Sequence, residues 1–121
     1  MNLLLVDDDD DTRELMGMYL GRHGIDVHAV GTLGAARAAL SSTPYSVLMT
    51  DLTLPDGDGR ALLREGRPSQ LRFAVVVSGH ASDEDREMTL AAGFDAHLAK
   101  PLDGSALDKL IANFGFDSPP S

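Results

Sequence analysis

Residues 3–14 read LLLVDDDDDTRE: four apolar side chains, Leu3 to Val6, run straight into five aspartates, Asp7 to Asp11. An unbroken apolar run of that length reads as a strand covered on both faces. Five adjacent carboxylates at its end repel one another, and burying any of them is costly. Either the acidic run is a solvated helix start, where negative charge suits the helix dipole, or a cation belongs there. A doubly covered strand also needs helices on both sides of its sheet, so the remaining chain should alternate strands with helices.

It does. Thr12 to His23 places Leu15, Met16, Tyr19 and Leu20 on one helical face, and Gly24 stops it. Val27–Val30 reads as a second strand. Thr32 caps a helix with Leu33, Ala36 and Leu40 inward, and Pro44 lies beyond its end. Val47–Thr50 is a third strand, and LPDGDG (54–59) is dense turn chemistry. A short helix over Ala61–Glu65 and a loop, GRPSQ, lead to FAVVV (73–77), the clearest buried strand. SDEDRE (82–87) opens a helix with acid in its first turn. Ala96–Ala99 is the fifth strand. Leu107, Leu110, Ile111 and Phe114 then form the inward stripe of a last helix. Five strand–helix units imply a parallel sheet between two helical layers, an α/β three-layer fold.

The 121 residues predict one domain, with residues 1–116 folded and 117–121 a flexible tail. Ten basic against nineteen acidic residues give a net charge of −9, which argues against a nucleic-acid surface and fits a cation site or simple solubility. No cysteine is present, so disulfide and thiolate chemistry are excluded. No apolar segment approaches the ~18 residues of a membrane span, and the short run at Leu3–Val6 lacks the features of a secretion signal. The chain is expected in the cytoplasm, without membrane insertion.

In open parallel sheets, ligands bind beyond the carboxyl ends of the strands, where the strand order reverses. Asp7 and Asp8 follow the first strand. Asp51, then Thr53, ends the third. Ser78 ends the fourth, and Lys100, followed by Pro101, ends the fifth. If the first and third strands are neighbours, three carboxylates converge into a hard oxygen site suited to Mg²⁺. A lysine and a hydroxyl suit a phosphoryl group, and a carboxylate there can act as the nucleophile that forms an acyl phosphate. His23, His28, His80 and His97 show no metal spacing.

Four segments, LLVDDDDDTRE, TDLTLPDGDG, VVVSG and AGFDAHLAKPLD, occur in that order. Together they resemble the receiver domain of two-component response regulators, over about residues 2–114. The resemblance implies a flavodoxin-like fold with a five-stranded parallel sheet of order 2-1-3-4-5. It implies Asp51 as the phospho-acceptor and Asp7 and Asp8 as the acidic pair for Mg²⁺, Asp8 directly and Asp7 largely through water. Mn²⁺ or Ca²⁺ can take the metal's place, and Thr53 offers its main-chain carbonyl to it. Ser78 corresponds to the switch hydroxyl and Lys100 to the phosphate-binding lysine, joined to Pro101 by a cis bond. His97 stands where the family usually has a switch Tyr or Phe, which puts an aromatic-switch mechanism in doubt. Asp9, Asp10 and Asp11 have no assigned role.

The partners implied are a histidine kinase or a phosphotransfer protein, an unidentified downstream target, and a second copy of the chain in a homodimer. The implied activity is that of a switch with slow self-dephosphorylation rather than an enzyme. The segment AGFDAHLAKPLD looks much like receivers fused behind hybrid sensor kinases. The rival is a phosphorylation-independent interaction module, a degenerate receiver, whose mark would be a missing acceptor, lysine or acidic partner; none is missing. Two other matches fail. Asp8, Asp10 and Thr12 fit the nucleophile loop of haloacid-dehalogenase-like phosphatases, but the late acidic pair of those enzymes is absent. Asp56, Asp58, Gly59 and Glu65 fit part of an EF-hand loop, but Leu54 stands at its first position and Pro55 interrupts it.

Overall fold

Strand β1 (Asn2–Val6) lies between β2 (Asp26–Val30) and β3 (Val47–Asp51), and the sheet continues through β6 (Phe73–Ser78) to β7 (Ala96–Ala99). All of these pairings are parallel. A two-stranded hairpin, β4 (Thr53–Leu54) and β5 (Gly57–Asp58), follows β3 outside the main sheet. Counting main-sheet strands alone, the order is the expected 2-1-3-4-5. This computed structural model describes residues 1–64, 66–79 and 82–113. The expectations for Glu65, His80, Phe114 and the 117–121 tail lie outside the described residues.

Strand alternation sorts the core into two layers. Leu3, Leu5, Val47, Met49, Val75 and Val77 face α1 (Asp10–Arg22) and α4 (Gly104–Ala112), packing with Leu20, Leu107, Leu110 and Ile111. Leu4, Val6, Leu48, Ala74 and Val76 face the other way, toward α2 (Leu33–Ser42) and a 3-10 helix (Gly59–Leu63), with Leu33, Ala36, Leu62, Leu63 and Phe94. Helix α3 (Asp83–Ala91) covers β7 on that second side.

Four details differ from expectation. Helix α1 begins at Asp10 rather than Thr12, because Asp9 caps it by accepting a hydrogen bond from the Thr12 amide. Leu15 is 67% exposed rather than inward. The buried stripe runs through Met16 and Leu20, four residues apart, and leaves Leu15 on its flank. The third connection is a 3-10 helix over Gly59–Leu63, capped by Asp58, and not an α-helix from Ala61. Strand β2 starts at Asp26, and as the sheet's edge it has no fully buried residue.

The hairpin is tied back to the sheet's first half. Asp56 accepts hydrogen bonds from the amides of Leu33 (2.7 Å) and Gly34 (2.9 Å) at the start of α2. Those two amides hold the Asp56 carboxyl below the usual carboxylate range.

Candidate functional site

The carboxyl ends of β1, β3 and β7 bring four of the expected residues together. Lys100 Nζ lies 3.1 Å from Asp7 Oδ2 and 3.1 Å from Asp51 Oδ2. Asp7, Asp8 and Asp51 each offer a carboxylate oxygen within 4.8 Å of one another. Asp7 is buried, Asp51 partly buried and Asp8 exposed. The Asp7 amide continues the β1–β2 ladder by donating to Val30, and its carboxylate accepts from the Asp9 amide at 2.9 Å. Arg13 of α1 donates to the Asp7 carbonyl at 2.7 Å.

The acidic run thus divides by role. Asp7 and Asp8 belong to the cluster, Asp9 caps α1, Asp10 pairs with Arg13, and Asp11 is exposed in the first turn. Opposite Asp51, the chain of the 3-10 helix comes close. A Cβ on Gly59 would stand 2.1 Å from the Asp51 carbonyl oxygen, so only glycine fits.

Burial pushes the Asp51 carboxyl above the usual carboxylate range against the pull of Lys100, and the Asp7 charge adds to the push. Burial disfavours the Lys100 charge, but hydrogen bonds and attraction from Asp7 and Asp51 outweigh it and raise its pKa. The asymmetry follows from the count: the lysine meets two carboxylates, whereas Asp51 shares its lysine with Asp7. The nearby Thr53 backbone amide, like Lys100, favours the ionised form of Asp51.

Three carboxylates with no nitrogen or sulfur donor suit a hard divalent cation such as Mg²⁺, and Asp7, Asp8 and Asp51 are the residues that would hold it. Without the ion, Lys100 is the cation at Asp7 and Asp51. Lys100→Ala is expected to lower metal-free stability by about 1–2 kcal/mol. Breaking a buried ion pair costs about 3–5 kcal/mol, discounted here because the lysine side chain is 33% exposed. Mg²⁺ at ten times its Kd should add about 1.4 kcal/mol to the wild-type fold, and more to Lys100→Ala. Asp8→Ala should lose that gain and Asp10→Ala keep it. Thermal melting in chelator and in Mg²⁺ checks all four proteins; an equal Mg²⁺ shift in Asp8→Ala and wild type would contradict the assignment.

Ser78 lies one residue past Val77, so alternation turns it to the opposite face of the sheet from Asp51 and Lys100. Its Oγ is 3.1 Å from His97 Nε2, and Nδ1 of that ring is 2.7 Å from Thr89 Oγ1 of α3. His97 already lies inside the fold, 3% exposed. Its backbone carbonyl accepts a hydrogen bond from Arg86 at 3.2 Å. The Lys100–Pro101 bond is cis, as expected, and the Lys100 amide donates to the Ser78 carbonyl at 2.7 Å.

Sequence reasoning missed two contributors. Thr89 is fully buried; its signal is a hydroxyl residue inside a helix, eight positions before His97. Arg60 is held by Asp58 at 2.8 Å and is nearly buried, which nothing in DGDGR announces.

Known proteins resemble the chain in both sequence and fold. A family model described as the response regulator receiver domain matches residues 3–112. A 14.6 kDa protein from the sodA1 3' region of Leptolyngbya boryana, described as uncharacterized, is 32% identical over 123 residues, covering 99% of this chain and 94% of its own. The response regulator protein PilR of Pseudomonas aeruginosa is 34% identical over 111 residues, 90% of this chain and 25% of that protein. The chain spans 25% to 48% of the length of the named regulators it matches. A two-component response regulator from Clostridium difficile shares the fold with a TM-score of 0.88 at 23% identity, covering 98% of this chain and 99% of that one.

Proposed function

Because the chain belongs to the response regulator receiver domain family, we propose that it accepts a phosphoryl group on Asp51 from a phosphohistidine and passes the change to a partner. A carboxylate oxygen of Asp51 attacks phosphorus in line with the leaving imidazole. The P–N bond breaks, an O–P bond forms, and the imidazole takes a proton from solvent. A Mg²⁺ ion held by Asp7, Asp8 and Asp51, with the Thr53 main-chain carbonyl, would offset negative charge on the phosphoryl oxygens. Lys100 Nζ, 3.1 Å from Asp51 Oδ2, needs only a small shift to bind a phosphoryl oxygen. Ser78 supplies a hydroxyl to a second oxygen. Water later hydrolyses the acyl phosphate, so the domain resets itself.

The observation that carries this reading is the convergence of Asp7, Asp8, Asp51 and Lys100 at one end of the sheet. A degenerate, phosphorylation-independent module would lack at least one of them. Incubation with a small acyl-phosphate donor should add a phosphoryl mass in Mg²⁺ and not in chelator. An unmodified protein in Mg²⁺ would favour the interaction-module reading. Changes at Asp51 would be read on the face of α3, β7 and α4 by a downstream partner or a second copy of the chain. Among the described residues no helix is long and apolar enough to cross a membrane.

The donor is a histidine kinase or phosphotransfer protein, and its seat is the groove beside Lys100. That groove, of about 490 Å³, is lined by Leu15, Met16, Tyr19, Leu102 and Leu107 and reaches Lys100 itself. An exposed leucine on its rim, continuous with the acceptor, suits a partner that must bring a phosphohistidine to Asp51. Leu15→Asp should slow transfer from a phosphorylated protein donor by roughly tenfold, as loss of one apolar interface anchor does. It should leave modification by a small acyl phosphate unchanged. Equal rates for Leu15→Asp and wild type with the protein donor would move the docking site elsewhere.

A further inference from the structure

Asp56 sits in the turn of the β4–β5 hairpin and Asp58 on its return strand, and the phosphoryl chemistry uses neither. Both carboxylates are taken up by protein donors. Asp58 accepts from the Arg60 amide at 2.8 Å and from Nε and Nη2 of its side chain, the latter at 2.8 Å. The Gly59 amide donates to the Leu52 carbonyl at 2.8 Å, which closes the base of the hairpin. Asp56 reaches from the tip to another element. One of its oxygens accepts from the Leu33 amide at 2.7 Å and the other from Gly34 at 2.9 Å, in the first turn of α2. A carboxylate holding a separate amide on each oxygen is fixed in both place and plane, and bonds to an ionised acceptor are strong. Beside it, Gly57 lies so close to Leu33 that a Cβ there would stand 2.9 Å from Cδ2. In the hairpin Thr53 pairs with Asp58 and Leu54 with Gly57. Thr53 is two residues past Asp51, and its amide favours the charge on that carboxylate. A line of contacts thus runs from the start of α2, through the hairpin, to the main chain beside Asp51.

We infer that Asp56, though outside the carboxylate cluster, is a positioning residue for the metal: by tying the hairpin to α2 it holds the Thr53 main chain where a divalent cation at Asp7, Asp8 and Asp51 can take up its carbonyl. The inference rests on the phospho-acceptor reading of that cluster. A main-chain ligand cannot be re-aimed by a side-chain rotation; it moves only with the strand that carries it. Mg²⁺ demands near-octahedral geometry at about 2.0–2.1 Å, so a strand free to drift loses its place in the shell to water. Strand β4 is two residues long and pairs with β5 outside the main sheet. A hairpin that short does not hold its shape unaided. Leu54, buried in the core, is one anchor and fixes the depth of the hairpin, but it makes no directional side-chain bond. Asp56 supplies the direction.

The test is a Mg²⁺ titration of the full chain followed by ¹⁵N amide NMR. Asp56→Ala should weaken Mg²⁺ binding about tenfold, the lower end of the loss when a residue that orients a metal ligand is removed. Asp56→Asn keeps an acceptor for one of the two amides, so its loss should be about threefold. If missing negative charge were the cause, the two variants would weaken equally. Thr32→Ala is the control for the helix. Thr32 caps the same turn of α2 by accepting from the Ala35 amide at 3.0 Å, a bond internal to that turn, and its loss should leave Mg²⁺ affinity at the wild-type value. Coupling between two binding events is reciprocal, so Mg²⁺ should in turn slow hydrogen exchange of the Leu33 and Gly34 amides in wild type by about tenfold. That exchange measurement carries the test if Asp56→Ala folds poorly. Wild-type affinity in a folded Asp56→Ala, equal losses in the two Asp56 variants, or a matching loss in Thr32→Ala overturns this inference and leaves the acceptor reading standing. So does exchange at Leu33 and Gly34 that saturating Mg²⁺ does not slow. A wild-type chain that binds no Mg²⁺ overturns the metal half of the acceptor reading, and this inference with it.

Discussion

Asp51→Asn should gain no phosphoryl mass from a small acyl-phosphate donor under conditions that modify the wild-type chain. A carboxamide has nearly the volume of a carboxylate but no anionic oxygen to attack phosphorus, so the change removes the chemistry and little of the packing. Burial and the Asp7 charge make ionised Asp51 unfavourable, and the neutral side chain lifts that strain. Lys100 keeps Asp7 as a partner at 3.1 Å. The variant should therefore melt close to wild type, and loss of modification would not be loss of fold. Intact mass and a melting curve on the same sample decide it. Mass gain equal to wild type would place the acceptor on another side chain.

Gly59→Ala should be the most damaging single methyl that can be added near the site. The new carbon would stand 2.1 Å from the Asp51 carbonyl oxygen and 2.7 Å from Thr50 Oγ1. The first obstacle is backbone and cannot rotate away. The Gly59 amide is also fixed, by a 2.8 Å bond to the Leu52 carbonyl. Overpacking costs about 1–3 kcal/mol, and a rigid obstacle puts this case at the upper end. That corresponds to a fall in Tm on the order of 10 °C for a domain of this size. Any relief comes from moving the end of β3, so phosphorylation of the surviving fold should slow as well. Gly17→Ala is the control. Nothing lies within 4 Å of a Cβ there, inside α1, and replacing a helical glycine adds about 0.5–1 kcal/mol. A Gly59→Ala protein as stable as wild type would mean the 3-10 helix is looser than its contacts indicate.

Much of this was legible because the strands are short apolar runs whose ends carry their chemistry. Once Leu3–Val6 and FAVVV are strands of a parallel sheet, Asp7, Asp51 and Lys100 have to meet at one edge. The direction of Ser78 was encoded too, since it follows Val77 and must face the other way, but that matters only when the partner on the far side is known. That partner is His97, held in turn by Thr89, and beyond being a hydroxyl residue inside a helix nothing in DEDREMTLA marks a threonine that β7 will cover. Leu15 failed for a related reason: a helical stripe read from sequence is wider than the face a twisted sheet can bury. The third crossover failed because GRALL is too short for its propensity to matter, and the capping of Gly59–Leu63 by Asp58 sets its geometry instead. The meeting of Asp7, Asp51 and Lys100 thus follows from position along the strands. The contacts of His97 with Ser78 and Thr89 follow only from packing.

Of the five strands in the sheet, β1 is synthesised first, and it ends up deeply enclosed, with Leu3, Leu4 and Val6 all 0% exposed. Its neighbour on the inner side pairs Leu3 with Val47. At about 5–20 residues per second on the ribosome, that partner follows some 2–9 seconds later. For that interval the edge of β1 that β3 will cover stays open, even after β2 is made, and could pair with another nascent chain. The aspartates that follow it immediately are a deterrent, because stacking copies of this segment would also stack their charges. Asp9, Asp10 and Asp11, exposed beyond the carboxylate cluster, are then expected to discourage such pairing until β3 covers that edge.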